Sequence, residues 1–258
     1  MGEKSGGAMS FFGQVIQWFQ NPAHWQGDAG IPHRTFEHLL MSGASVLTAA
    51  LIALPIGIAV GHYGRGGIIA INVSNVGRAI PSFAVLVLAA KLFGFVSGPK
   101  VLGFGAVPAF VALVALAIPP MVTNSYIGMR EVDRDVREAA RGMGMRERAV
   151  LLRVELPIAM PFIMAGIRTS AVNVVATATL AAVVAWGGLG RFILDGFGLQ
   201  DYPMLFAGAV MVAVLSLIVE FSLAGVQRLS TPAGLRPSKT TQKEEPLGSS
   251  LDTAAVAA

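Results

Sequence analysis

The stretch LLMSGASVLTAALIALPIGIAVG, residues 39–61, decides the fold class. It carries no charged side chain over a length that exceeds the roughly 20 residues a helix needs to cross hydrocarbon. Residues 101–129 and 169–190 are equally free of charge. In lipid the backbone must satisfy its own hydrogen bonds, so runs of this length form helices; barrel strands would be about ten residues long and alternate. Composition agrees: of 258 residues 54% are hydrophobic and only 13% charged, with a mean hydropathy of +0.65. Soluble domains carry about a quarter charged residues. The chain therefore reads as an all-α polytopic membrane protein.

Five spans are expected. The first runs over residues 39–60 with Pro55 inside it, and the second over 68–95, where Arg78 and Pro81 interrupt the pattern and would leave its first third at the membrane surface. Residues 106–129, with Pro119 and Pro120, form the third; residues 157–186 form the fourth, broken at the glycine-rich segment 187–190; residues 203–227 form the fifth. Before them, residues 1–36 make an extracytoplasmic segment whose aromatic and glutamine-rich part, 11–25, suits a short interfacial helix. The membrane-spanning body is 37–229, and residues 230–258, rich in Pro, Ser, Thr, Lys and Glu, read as a disordered tail. A cleavable signal is not evident at the start.

Charge sets the orientation. With the 130–157 connector inside, the cytoplasmic side holds Arg65, the arginines at 130, 134, 137, 141, 146, 148 and 153, Arg228, Arg236, Lys239 and Lys243. The other side holds Lys4, Arg34, Lys91, Lys100 and Arg191. The positive-inside rule then puts the N-terminus outside and the C-terminus in the cytoplasm. The same clustering explains a sequence pI near 9.8 without nucleic acid. There is no cysteine, so disulfides and thiolate metal sites are excluded. The histidines at 24, 33, 38 and 62 show no metal spacing beyond a loose His33 and His38 pair, and no metal site is expected.

The connector between spans three and four carries the function. Asp133 suits an N-cap, and Val136, Ala139, Ala140 and Met143 then share one helical face. Gly144 suits the left-handed position that ends a helix. A second short helix over residues 146–154 would lead to Pro157 in the first turn of span four. Such a knob outside the lipid can dock in a groove on another protein, or simply join two spans.

Glu138-Ala139-Ala140, then Gly144 after three residues, then Val154 after nine, then Leu156-Pro157, resembles the EAA loop of ABC importer permeases, with valine for isoleucine as the one departure. Residues 124–129, 165–169 and 187–190 are similar to the osmoprotectant branch of these permeases, which takes up glycine betaine, carnitine, choline or proline betaine, and the similarity runs over about 37–227. Arg78-Ala79 stands where that branch often has Gln-Thr. The resemblance implies a type I importer permease fold in a bacterial plasma membrane. It also implies a coupling helix formed by Glu138, Ala139, Ala140, Met143, Gly144, Leu156 and Pro157, two partner ATPase subunits, a second permease copy or paralogue, and an extracellular binding protein. ATP and Mg would belong to the ATPase, and this chain would bind no cofactor. It has no phosphate-binding loop of its own and is not expected to be an enzyme.

Three further readings stay open. Thr169, Asn173 and Thr177 recur every four residues and, with Arg78, either line a translocation path or bond neighbouring helices. Arg168 and Glu220 lie at similar depths in spans four and five, where unpaired charge is costly, so they either pair or reach the interface separately. Residues 187–190 form an outer hinge or a tight turn. The solute is also open. Three Trp and three Tyr assemble into no evident quaternary-ammonium cage, and methionine or another amino acid is the alternative cargo. A membrane-embedded enzyme or a passive anchor are the alternatives of other classes.

Overall fold

A computed structural model describes residues 10–94 and 105–231. Helix α1 (Phe11–Gln20) starts where the Ser10 hydroxyl accepts from the Gly13 amide, and a 3-10 turn (Pro22–Trp25) follows it. Helix α2 (Ile31–Tyr63) is longer than its apolar core and continues through Pro55; Gly64 ends it in the left-handed conformation at φ 68°. The division expected at residues 36–37 falls inside this helix. α1 is no detached leader: its Phe11 and Phe12 rings meet Phe206, and Trp18 meets Phe192, all edge-on.

The centre of the molecule is α5 (Ala106–Arg130), packed between α2 and α8 (Leu156–Thr177). On α2, Ser45, Ala49, Ala53, Gly57 and Gly61 recur every four residues and all are buried. Hydrophobicity cannot drive helices together in lipid, so small residues that admit close approach must do it. A Cβ on Gly57 would stand 2.7 Å from Ser125 Cβ, and one on Gly61 would collide with Met129. The Ser170 hydroxyl donates to the Ala117 carbonyl at 2.8 Å, tying α8 to α5.

The second span differs from its expected form. α3 (Gly67–Ala79) and α4 (Ser82–Phe93) meet at 90°, splitting the segment nearly in half instead of after a third. Pro81 has no amide to continue the ladder and holds Ile80 extended, at φ −71° and ψ 125°. At 1.5 Å per residue each half reaches about 20 Å, short of the ~30 Å hydrocarbon layer. Thus among the described residues four helices are long and apolar enough to cross, and they give a fifth crossing only if the bent pair makes one.

Beyond α5 come α6 (Arg134–Gly142), α7 (Glu147–Val150) and a π-helical turn (Leu151–Glu155) that runs on into α8. The expected separate start of span four at Pro157 is replaced by a continuous helical path from Glu147 to Val184. Proline removes one amide from the ladder, and the wider π turn ahead of it adjusts the carbonyls left over. α8 tightens into a 3-10 segment (Ala178–Val184). Sequence reading missed α9 (Gly190–Leu199), a short helix braced by Arg191 and Asp195 at 2.7 Å, which packs on α10 (Tyr202–Ser230). The loop at residues 98–100 and nearly all of the tail lie outside the described residues.

Candidate functional site

The connector is built by local chemistry. Asp133 Oδ1 accepts from the Asp135 amide at 2.8 Å, one of the donors that a helix start leaves free. Arg134 Nε meets Glu138 Oε1 at 2.6 Å one turn on. At the far end Gly144 takes φ 81°, with open space where its Cβ would be, and the amides of Gly144 and Met145 return to the carbonyls of Arg141 and Ala140. Arg141 then grips Glu147 with two bonds of 2.8 and 3.1 Å, closing the turn into α7. The hydrogen bonds that Arg141 donates to Glu147, and then the charge of that carboxylate, raise the Arg141 pKa above the ordinary arginine value.

The apolar face of α6 is divided. Ala140 is buried against the body, whereas Val136 and Ala139 are exposed and Met143 is 77% exposed. Leu156 packs beside Met129, Ala159 and Ile163, and Pro157 follows it half-buried at the head of α8. The result is a nine-residue helix seated on the ends of the spans, with Val136, Ala139, Met143 and the Glu138 carboxylate turned to solution.

Behind α6 lies a cluster that the sequence does not announce. Glu155 is completely buried. The His62 imidazole, at the end of α2, contacts its Oε2 through Nδ1, and Arg137 Nε on α6 stands 3.1 Å from its Oε1. That second contact is an ion pair and not an aligned hydrogen bond, since neither atom finds a bonding geometry. Arg137 also donates through Nη2 to the Met129 carbonyl near the end of α5. One acid in an apolar run just ahead of Pro157 was the available signal; its partners, 93 and 18 residues away, were not readable from spacing.

A second site opens at the α3–α4 bend. A cleft of about 280 Å³ is lined by Arg78, Pro81, Ser82, Asn173 and Thr177 among others. Arg78 Nη2 donates to Asn75 Oδ1 at 2.8 Å, and among the described residues no carboxylate comes within ion-pair reach of it. The Thr177 hydroxyl bonds back to the Asn173 carbonyl at 2.6 Å. Thr169 stays outside this cleft. It and Asn173 are exposed, and among the described residues neither side chain bonds another helix of the chain. The cleft thus gathers three of the four polar residues singled out from sequence.

Arg168 Nε lies 3.3 Å from Glu220 Oε1, so these two charges stand as a pair between α8 and α10. Arg168 also donates to Gln227 Oε1 at 2.9 Å, and Gln227 donates to the Pro161 carbonyl at the same distance. At the opposite end of the molecule the glycine-rich segment is a latched turn. The Gly188 amide donates to Glu37 Oε2 at 2.8 Å, and the Leu189 amide to His38 Nδ1 at 3.3 Å. His38 must then carry its proton on Nε2, from which it donates to the Val175 carbonyl at 2.8 Å. Both ring nitrogens are used, and His33 turns instead to Glu37. Among the described residues no cluster could hold a metal.

The family model for binding-protein-dependent transport system inner membrane components matches residues 6–231. The chain belongs to that family. This permease is 36% identical over 207 residues to the choline transport system permease protein of Bacillus subtilis, covering 80% of this chain and 91% of the relative. It is also 36% identical over 225 residues to the carnitine transport permease protein of Listeria monocytogenes, covering 87% and 97%. Among solved structures, an inward-facing form of the MetNI methionine ABC transporter superposes with a TM-score of 0.66 at 22% identity, covering 82% of this permease and 99% of that chain. That likeness concerns the fold: the permease is a multi-pass helical membrane protein with the architecture of an ABC importer subunit.

Proposed function

We propose that this permease is the membrane-spanning subunit through which a partner ATPase drives import of quaternary-amine osmoprotectants: glycine betaine, carnitine, choline or proline betaine. The observation that carries the coupling role is α6 itself, seated on the ends of the spans with Val136, Ala139 and Met143 exposed and Glu138 beside them. An apolar helical face of this kind fits a groove on a soluble partner. The substrate class rests on relatives named for choline and carnitine transport. In this reading two permease chains, identical or paralogous, sit above two ATPase subunits that hold ATP and Mg, and an extracellular binding protein delivers solute. ATP then stabilises one of two arrangements of the spans. The N-terminus lies outside and the C-terminus inside, and the chain itself performs no hydrolysis.

Arg78 favours a second reading of the cargo. A guanidinium with no carboxylate partner among the described residues, beside Asn173 and Thr177, suits a solute that brings its own carboxylate, which betaines, carnitine and amino acids such as methionine have and choline lacks. Reconstitution with the cognate ATPase and binding protein, followed by uptake of labelled betaine, carnitine, choline, proline and methionine, tests both partner and cargo. ATP-dependent accumulation of the quaternary amines is expected; accumulation of methionine alone would replace the substrate class.

A further inference from the structure

The buried cluster behind α6 joins three elements at one carboxylate and a fourth, α5, through Arg137. His62 comes from the end of α2, Arg137 from α6, Glu155 from the π turn that opens α8, and the Met129 carbonyl from the last turn of α5. His62 Nε2 also stands 3.9 Å from Glu147 Oε2. Burying a carboxylate fully is costly even when paired, and apolar side chains of similar size would pack the same space at less cost. What the ionic cluster adds is directional contact: each partner is held at a set angle and distance, so elements meeting there cannot slide past one another. The π turn serves the same end. In an α-helix residues five apart lie about 140° out of register. Here Val150 and Glu155 are both fully buried, because the wider turn brings them to the same inward side while Leu152 and Arg153 remain exposed.

We propose that Glu155 is a positioning residue for transport, locking α6 to the ends of α2, α5 and α8 so that a displacement imposed on α6 by its partner moves these spans as one rigid body. This inference rests on the permease reading above. Without the lock, α6 keeps the short links at residues 131–133 and 143–146, the Arg141–Glu147 pair, the Arg137 bond to the Met129 carbonyl and the packing of Ala140, but loses its tie to α2 and α8, and the links would absorb part of the displacement. The coupling helix would still dock, but its movement would reach the spans attenuated.

The test uses the full reconstituted importer. Glu155→Gln keeps the size of the side chain and removes its charge. It is expected to leave assembly with the ATPase and basal ATP hydrolysis intact while lowering solute accumulated per ATP by at least about fivefold, the lower end of typical coupling effects. Arg137→Lys keeps the charge but loses the simultaneous reach to Met129, and should fall between. This chain has no cysteine, so with the cysteines of the partner subunits replaced, spin labels on cysteines replacing Gly142 and Arg65 report the separation of α6 from the end of α2. In the otherwise unmodified importer the separation should be the same with and without ATP; in Glu155→Gln it should change or broaden when ATP is added. An unchanged transport ratio in Glu155→Gln, or an ATP-dependent change of separation without that substitution, overturns the inference. If Glu155→Gln fails to assemble, the labelled parent decides alone. ATP-driven uptake by the parent vesicles reports on the permease reading separately: its absence for every solute would remove that reading, and with it this one.

Discussion

Arg78 sits at the bend between α3 and α4, facing a cleft with Asn173 and Thr177 and bonded only to Asn75 among the described residues. A hydrogen bond to a charged group is worth about 1.5–3 kcal/mol when it is formed. If a passing solute accepts such a bond through its carboxylate, Arg78→Ala should raise the concentration for half-maximal uptake of carnitine or glycine betaine roughly tenfold, since 1.4 kcal/mol is a factor of ten. Choline has no carboxylate, and its uptake should change far less. Transport assays on the two solutes with one variant supply the comparison, and equal losses would show that Arg78 shapes the bend instead of meeting cargo. The contrast with Thr169 is instructive at the same scale. Periodicity puts Thr169, Asn173 and Thr177 on one helical face, but only the bend at Pro81, brought from a distant segment, decides which of them line the cleft.

At the scale of elements, α6 was the most legible part of the chain because its determinants are local. Asp133 caps it, Gly144 ends it, and both act within three residues of the backbone they satisfy. Gly144 has nothing within 4 Å of where a Cβ would be, so a side chain there meets only the cost of the left-handed backbone. That cost is about 1–2 kcal/mol for an ordinary residue and smaller for asparagine. Uptake should therefore decline in the order Gly, Asn, Ala, Val, with the spans themselves unaffected in thermal melts; a steric account would instead make Asn as harmful as Val. Other elements were hidden for physical reasons. α9 is ten residues with glycines at 196 and 198, below the length at which periodicity is informative, and α10 supports it. The α3–α4 break was visible as Pro81, but its angle is set by packing on α5. Glu155 and His62 meet across 93 residues, which no local pattern records.

The described residues have two distinct ends, and internal contacts gather the ends of α2, α5 and α8 onto one or the other. His62, Met129 and Glu155 bring the ends of α2 and α5 and the start of α8 together with α6. Glu37 and His38 bring the start of α2 to the Gly188 turn beyond α8, while Gly105 at the head of α5 lies against Val184. Contacts alone do not say which end faces the cytoplasm; the proposed orientation rests on the arginine-rich connector and the positive-inside rule. Because α2 and α5 both end at the connector side, residues 64–105 must lead from one end of the molecule to the other, and among the described residues the bent α3–α4 pair is the candidate for that crossing. A cysteine-free chain makes this testable without background. A single cysteine replacing Met143, which is 77% exposed, should react with a membrane-impermeant maleimide only when the cytoplasmic face is opened. One replacing Leu199, 73% exposed at the other end, should react in intact cells. The reverse pattern would put α6 on the side where no nucleotide-driven partner exists, and a helix with that exposed face would then have to dock on something extracellular instead.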